Sequence, residues 1–286
     1  MSFIGSDSVP PRHRKTGNRF VAGGLRAAVV ILLLPLLLAG CRTHRESVTL
    51  YEKAMSLWDE GQFVDAARTY ITVTEIYPDS PLVEDALYWA ASLYHYYLND
   101  LNLAERYYQQ LLVQHPDGAR QLEATERLGE LYETRKESEY KAILVYRKLL
   151  LAKELAGRRD EFLLRVAKAY VAMGRLEQAR FELRRLMQDY PKSKYLPQAY
   201  YLVGYSYYWE GRKPFAIIAF NQIQKDFPTD SLAAQARFFI GEIYEEAGVL
   251  RKALNVFESI RDRYSKPELL DKRIAALKAR MGRSVR

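Results

Sequence analysis

Cysteine is nearly absent from this chain of 286 residues, which contains only one. A single cysteine excludes an internal disulfide framework and any metal site built from several cysteines. Histidine is also scarce, and beyond the first 40 residues only His44, His95 and His115 remain. No two of these share a helix face at the spacing of metal ligands. The sequence therefore predicts no metal site.

Motifs that carry catalysis are lacking as well. The chain has no His-Glu-x-x-His zinc motif, no glycine-rich phosphate loop and no Gly-x-Ser-x-Gly nucleophile turn. Its carboxylates are scattered as on any helical surface. We therefore expect no catalytic residues, no cofactor and no small-molecule substrate, and the protein is predicted not to be an enzyme.

No apolar run is long enough to span a bilayer, which takes about 20 residues. The longest, residues 27–38, is interrupted by Pro35 and follows a basic stretch. A basic segment, a short apolar run and small residues before a cleavage site are typical of an export signal. We predict that residues 1–40 are a cleaved signal peptide, with an uncleaved membrane anchor as the alternative.

Excess positive charge is concentrated in the same amino-terminal segment. The whole chain has a formal charge of +8, but residues 1–40 contain five basic residues and one acidic residue. The remaining chain has a charge of only +4. Nucleic-acid binding requires basic residues clustered in a patch or stripe, so we expect no nucleic-acid partner.

A periodic pattern fills the rest of the chain. From Gly204, Tyr207 follows at +3, glycine at +7, Ala216 at +12, Phe220 at +16 and proline at +24. Closely similar offsets recur from five other small residues: Ala54, Ala91, Gly129, Ala167 and Gly241. Each unit reads as a helix hairpin, because glycine at +7 can end the first helix in a left-handed conformation and proline ends the second. The units that start at Ala91 and Gly129 have one extra residue between their helices.

This pattern resembles the tetratricopeptide repeat. A single hairpin cannot bury its own apolar face, so such units stack. The resemblance implies an all-α fold, a right-handed superhelical solenoid of about six hairpins plus a carboxy-terminal capping helix. We expect the solenoid over 48–266, with units at 48–81, 82–119, 120–158, 159–194, 195–231 and 232–266. The capping helix and tail follow over 267–286.

The single cysteine ends the segment Leu38-Ala39-Gly40-Cys41, which resembles a bacterial lipobox. The resemblance implies cleavage before Cys41, a diacylglycerol on its thiol and an acyl chain such as palmitate on the new amino group. Residues 41–47 would then be a short tether. Each buried methylene contributes about 0.8 kcal/mol, so two or three chains anchor a protein firmly. Some lipoproteins of this kind that stay in the inner membrane have aspartate after the cysteine, whereas here Arg42 follows it. The resemblance therefore implies a lipoprotein on the periplasmic face of the outer membrane.

The junctions between repeats narrow the resemblance further. The segments at 77–80, 190–193 and 227–230 share an aromatic-Pro-x-Ser/Asp turn. Together with the lipobox, they resemble the BamD family of outer-membrane assembly lipoproteins, although those have five repeats. The resemblance implies a component of the machinery that folds β-barrels, with unfolded barrel chains and the barrel-forming subunit as partners. Two alternatives remain open: a lipoprotein of pilus or secretion assembly, and a Tol–Pal-associated coordinator of cell division or the cell wall.

Candidate binding residues lie on the first helix of each repeat, which lines the concave face in proteins of this type. Ten positions are predicted to point into the groove: Tyr51, Met55, Trp58, Tyr88, Ser92, His95, Tyr201, Tyr205, Tyr208 and Trp209. Exposed aromatic residues suit an extended chain that ends in an aromatic residue, and tyrosine and tryptophan are enriched where binding energy concentrates. Packing between repeats is the alternative for any one of them. It is the expectation for Tyr94, Tyr132, Tyr170, Tyr207 and Tyr244.

Two kinds of charged cluster accompany these aromatics. Acidic residues follow each other on the first helices of the third and sixth units, at Glu126, Glu130, Glu133, Glu242 and Glu245. Basic residues cluster at Arg180, Arg184 and Arg185. We interpret both as solvated helix faces, with a partner-specific patch as the alternative.

Overall fold

The structure, a computed structural model, describes residues 43–283 and contains thirteen α-helices and no strand within that range. The first helices of six hairpins are α1 (43–59), α3 (Val83–Tyr96), α5 (Gln121–Thr134), α7 (Arg159–Ala172), α9 (Leu196–Trp209) and α11 (Ser231–Glu246). The second helices are α2 (Phe63–Ile76), α4 (Leu101–Gln114), α6 (Glu139–Leu151), α8 (Leu176–Asp189), α10 (Lys213–Asp226) and α12 (Leu250–Glu258). A final helix, α13 (Pro267–Arg283), follows the sixth hairpin, and a 3₁₀ turn (Ala156–Arg158) precedes α7.

From α2 onward, each helix packs mainly against the helices before and after it in the chain. Consecutive first helices also contact each other, as α3 does with α5, α7 with α9 and α9 with α11. First helices therefore lie along an inner face and second helices along an outer face. These features confirm the predicted all-α solenoid of six hairpins with a carboxy-terminal helix.

The core is built from equivalent positions of the six repeats. Each second helix buries an alanine and, four residues later, a large side chain that is at most 1% exposed: Tyr70, Tyr108, Tyr146, Leu183, Phe220 and Phe257. A small residue on the first helix makes room for it. At Gly204, an added Cβ would lie 2.5 Å from Cε1 of Phe220. The ring therefore packs directly against the backbone of α9, and this contact joins the two helices of the hairpin.

The loops within the hairpins explain the glycine at +7. Gly174, between α7 and α8, has φ 69°, a left-handed conformation that glycine adopts without steric cost. The second and third repeats have loops of four residues where the others have three. In these two loops, Asn99 and Glu137 adopt the positive φ. The extra loop residue therefore leaves the helix pairing unchanged.

The carboxy-terminal helix covers the end of the stack. Leu270 and Leu277 of α13 are fully buried and belong to the same cluster as Phe257 and Ile260 of the last hairpin. α13 begins at a proline, which is favourable at the first helical position because its missing N–H would have no partner there.

The predicted signal peptide over 1–40, the lipobox Leu38-Ala39-Gly40 and the lipidated Cys41 lie outside the described residues and stay predictions. Among the helices of residues 43–283, none is both long enough and apolar enough to cross a membrane.

Candidate functional site

The first repeat forms an aromatic pocket on the inner face. The predicted groove residues Tyr51, Met55 and Trp58, all on α1, line a cavity of about 230 Å³. Asp59, Tyr70 of α2 and Trp89 of α3 complete the lining. Since Met55 is 48% exposed, the pocket opens to solvent.

The walls of this aromatic pocket are fixed by ring packing. Trp58 makes edge-to-face contacts with Trp89, at 5.4 Å between ring centroids, and with Tyr97, at 5.6 Å. The Arg120 guanidinium lies over Trp89, 5.1 Å from its ring centroid. Burial raises the pKa of Tyr51, so its hydroxyl stays neutral. The result is a preformed, mainly apolar recess with one carboxylate, from Asp59, at its edge.

The predicted groove residues of the second repeat have a different role. Tyr88, Ser92 and His95 are 3%, 4% and 8% exposed, so the exposure predicted for them is wrong. Tyr88 donates its hydroxyl to Glu123 of α5, at 2.6 Å, and Ser92 is hydrogen-bonded to the hydroxyl of Tyr108. Burial lowers the pKa of His95. The three side chains pack between helices, because the third repeat covers this part of α3.

A second aromatic cluster lies on α9. Tyr201, Tyr205 and Tyr208 surround Phe239 of α11, with ring centroids 6.0, 5.9 and 5.1 Å from it. All three tyrosines are half-buried. Trp209, at the end of α9, is 64% exposed. In this part of the predicted groove, the three tyrosines pack against the next repeat, whereas Trp209 is exposed to solvent.

The five tyrosines that we expected in the core differ in how deeply they are buried. Tyr132 is 3% exposed. Four others are only partly buried and pack against the edges of the core clusters: Tyr94, Tyr170, Tyr207 and Tyr244. Position +3 of the repeat thus lies at the border of the core.

The acidic residues of α5 are paired across the inner face. Glu126 accepts two hydrogen bonds from Arg158, at 2.6 and 2.9 Å. Glu130 and Glu133 lie 3.7 and 2.9 Å from Arg165 of α7. The solvated face expected for this row is therefore wrong, since the carboxylates link the third repeat to the fourth.

The same arrangement closes the carboxy-terminal end. Arg273 of α13 pairs with Glu242 at 2.6 Å and with Glu245 at 2.8 Å, and Arg280 also pairs with Glu245, at 2.7 Å. Burial raises the pKa of Glu242.

The basic cluster on α8 is split between interior and surface. Arg180 is 5% exposed, pairs with Glu210 at 2.8 Å and lies 4.4 Å from the ring centroid of Tyr207. The solvated position expected for Arg180 is wrong, although Arg184 and Arg185 are exposed. No sequence signal separates these three arginines, because their difference depends on the fifth repeat packed against α8.

A charged cavity of about 450 Å³ lies between the two aromatic regions. Its lining includes Glu133, Glu161, Arg165 and Lys168. Burial lowers the pKa of Lys168. Along the inner face, the order is therefore an aromatic pocket in the first repeat, a charged centre in the third and fourth, and an aromatic cluster in the fifth.

A family model described as the tetratricopeptide repeat matches three segments, residues 85–118, 161–193 and 198–230. These segments coincide with the second, fourth and fifth hairpins. The chain therefore contains tetratricopeptide repeats. No curated protein matches its sequence.

Solved structures of tetratricopeptide-repeat proteins share this fold. A repeat protein from Parabacteroides merdae aligns with a TM-score of 0.58 and 18% identity, over 83% of this chain and 88% of its own. YrrB, described as having an unusual peptide-binding site, aligns at 0.50 and 17%, over 66% and 91%. PilW, a type IV pilus biogenesis factor, aligns at 0.51 and 17%, over 78% and 97%. At these identities the likeness shows the fold alone.

Tetratricopeptide-repeat proteins bind peptides or proteins, and the fold is typically a non-enzymatic scaffold. This tetratricopeptide-repeat protein is accordingly a scaffold for protein–protein interaction. Within residues 43–283, no three or more histidine, cysteine, aspartate or glutamate side chains are grouped so that they could hold a metal ion.

The inter-repeat carboxylates predict acid sensitivity. Burial alone would raise the pKa of Glu130, but hydrogen bonds from Arg127 and Tyr96 outweigh it and hold this pKa below its usual value. Hydrogen bonds from Lys141, Tyr132 and Arg135 do the same for Glu105. Carboxyl groups with a lowered pKa in the folded state stabilise it above their unfolded pKa of about 4.3, and this contribution is lost as pH falls through the folded pKa.

We therefore expect the urea concentration at the unfolding midpoint to decrease as the pH is lowered from about 5 to about 3. Each such pair contributes a few tenths to about 1 kcal/mol to the free energy of unfolding. Urea unfolding followed by circular dichroism at several pH values measures this. Glu130→Gln should flatten part of the pH dependence. An unchanged midpoint down to pH 3 would show that these pairs do not stabilise the stack. Glu242 acts in the opposite direction, because its pKa is raised.

Proposed function

We propose that this protein is a lipid-anchored, non-enzymatic scaffold on the periplasmic face of the bacterial outer membrane, where it takes part in β-barrel assembly. In this role it binds unfolded barrel chains and the barrel-forming subunit. The observation that carries the proposal is the aromatic pocket of the first repeat. Tyr51 lies only ten residues after Cys41 in the sequence, so lipidation there would hold the pocket close to the membrane surface.

The shape and chemistry of the aromatic pocket support binding of an extended chain. Its rings are held by neighbouring rings, so little ordering is needed when a ligand enters. Indole and phenol rings offer large contact area with few rotatable bonds, which favours burial of an aromatic side chain from the partner. The charged centre that follows along the inner face offers hydrogen-bonding groups to the partner's backbone and polar side chains.

A second candidate is a lipoprotein of type IV pilus assembly, since PilW shares the fold over 78% of this chain. Co-purification distinguishes the two functions. A barrel-forming outer-membrane subunit in the purified fraction supports β-barrel assembly, whereas a pilus secretin supports the second candidate. Depletion of the protein should lower porin levels in the outer membrane if the first proposal is correct. A septation defect alone would favour a Tol–Pal-associated coordinator.

Trp58→Ala tests the pocket directly. We expect the affinity for a labelled peptide of alternating apolar and polar residues ending in phenylalanine to fall about 30-fold, the effect of losing a binding residue worth about 2 kcal/mol. Fluorescence anisotropy with the full chain measures it, and circular dichroism checks the fold. Tyr140→Ala is the matched control, because Tyr140 is 61% exposed and lies on α6 of the outer face. Equal affinity of the two variants would remove the peptide site from this pocket.

A further inference from the structure

Three large apolar side chains project from the outer face at one repeated position. Leu144, Phe181 and Ile218 each lie two residues after the buried alanine of their second helix and are 52%, 54% and 66% exposed. We call these three residues the outer row. The equivalent positions of the remaining repeats are polar: Arg68, Arg106 and Asn255. The outer row therefore spans three consecutive repeats and is flanked on both sides by repeats with a polar residue at this position.

A cavity of about 520 Å³ adjoins the outer row, with Phe181 in its lining. Leu151, also in the lining, is 82% exposed. Arg147 and Arg185 both donate to Glu182, at 3.1 and 3.0 Å, and Glu182 is itself 3% exposed. A buried carboxylate thus fixes two guanidinium groups at the cavity wall, and both remain about half exposed to a ligand.

The Nε of a third arginine in this cavity has no hydrogen-bond partner among residues 43–283. Arg159, the first residue of α7, lines the cavity, and its Nε is buried without an acceptor. None of the ion pairs within residues 43–283 involves Arg159. A buried donor that is left unpaired is unfavourable, so an acceptor group that reaches Arg159 from outside would be stabilised.

The charge of the surrounding outer face points to an acidic ligand. Helix α6 carries three basic residues and one acidic residue; Lys141 is already paired with Glu105 at 2.9 Å, which leaves Arg147 and Lys148 on this face. The cavity is lined by the two carboxylates of Glu182 and Asp189 and by three arginines. Its charged side chains therefore carry a net positive charge. Guanidinium groups bind carboxylates through two parallel hydrogen bonds.

We propose that the outer row and the adjoining cavity dock an acidic amphipathic segment of a partner protein. Apolar side chains of the segment cover the outer row, and its carboxylates enter the cavity to bind Arg159, Arg147 and Arg185. A recessed site fits carboxylates on side chains better than the headgroups of a bilayer surface. This site lies on the second helices of the third to fifth repeats and on the start of α7, so it is separate from the aromatic pocket and independent of the function proposed above.

Photo-cross-linking in cells tests the site. The full chain carries p-benzoylphenylalanine in place of Phe181 or Ile218, and the matched controls carry it in place of Arg106 or Asn255, which occupy the same helix position. We expect cross-links from positions 181 and 218 to one polypeptide segment and none from the controls. Mass spectrometry should show a segment with more aspartate and glutamate than lysine and arginine. A phospholipid adduct, a basic segment, equal adducts at the controls or no adduct at all would overturn the proposal.

Binding of the mapped segment, synthesised as a labelled peptide, separates this site from the aromatic pocket. Phe181→Glu and Arg159→Gln should each weaken binding about tenfold, since one removes an apolar contact and the other a charged hydrogen bond. Trp58→Ala should leave the affinity unchanged. Loss of binding in Trp58→Ala, or retained affinity in Phe181→Glu and Arg159→Gln, would contradict a separate outer site. Circular dichroism checks that both variants keep the fold.

Discussion

Replacing Phe220 by alanine is expected to lower the free energy of unfolding by about 3–5 kcal/mol, the range for a buried phenylalanine. Phe220 is 0% exposed and lies 5.4 Å from Phe239 of the next repeat, measured between ring centroids. Because Gly204 offers no side chain to fill the space, the cavity would remain open. Urea unfolding followed by circular dichroism measures the loss. Ile218→Ala, on the same helix at 66% exposure, should change stability by no more than about 0.5 kcal/mol.

The loss should also be local. A solenoid is stabilised by each repeat and by its contacts with nearest neighbours, so Phe220→Ala weakens the fifth repeat and its junction with the sixth. Hydrogen exchange should accelerate in α9 to α13 and change little in α1 to α6. Uniform acceleration over residues 43–283 would contradict nearest-neighbour coupling, and equal effects of Phe220→Ala and Ile218→Ala would contradict the role of the buried ring.

Replacing Cys41 by alanine is expected to remove the protein from the outer-membrane fraction. If Cys41 is lipidated as proposed, its thiol is required for attachment of the diacylglycerol, and the variant would lose all the acyl chains that anchor the protein. The lipobox resemblance implies that cleavage follows lipidation, so we expect the variant to retain residues 1–40, to migrate as the larger precursor and to incorporate no labelled palmitate.

Labelling with palmitate, gel mobility and separation of inner and outer membranes measure these three effects. Arg42→Gln is the matched control, since it keeps the lipobox and the cysteine and should remain labelled. An unlabelled Cys41→Ala protein in the outer membrane, or a wild-type protein that never incorporates palmitate, would contradict lipid anchoring. Peptide binding in the aromatic pocket would be unaffected by either result.

The fold was predictable because its contacts recur at fixed spacing. Gly204, Ala216 and Phe220 meet inside one hairpin, so their offsets are set by helix geometry and one short loop. The same offsets identify all six repeats, even where Asn99 takes the left-handed turn position otherwise held by glycine. Local sequence is sufficient when both partners of a contact lie within about 20 residues.

The candidate site was predictable only in part, because it depends on contacts between repeats. Tyr51, Met55 and Trp58 line a pocket, since no earlier repeat covers α1 among the described residues, and their role in binding stays a prediction. Tyr88 has the same position in the second repeat, but its hydroxyl donates a hydrogen bond to Glu123 of the third repeat. The ring of Tyr88 is buried there. The solvated position predicted for Arg180 was wrong for the same reason, since the fifth repeat packs against α8. Leu144 gave no signal of its exposure, because an apolar residue on an amphipathic helix is ordinarily buried.

The carboxy-terminal helix has a consequence for how partners reach the molecule. A stack of hairpins is open-ended, and its last apolar surface could accept another copy. In this protein, Leu270, Ile274 and Leu277 occupy that surface, and Arg273 fastens the helix to Glu242 and Glu245. Growth of the stack is thereby terminated at this end, so partners must approach the sixth repeat from its sides and not by prolonging the array.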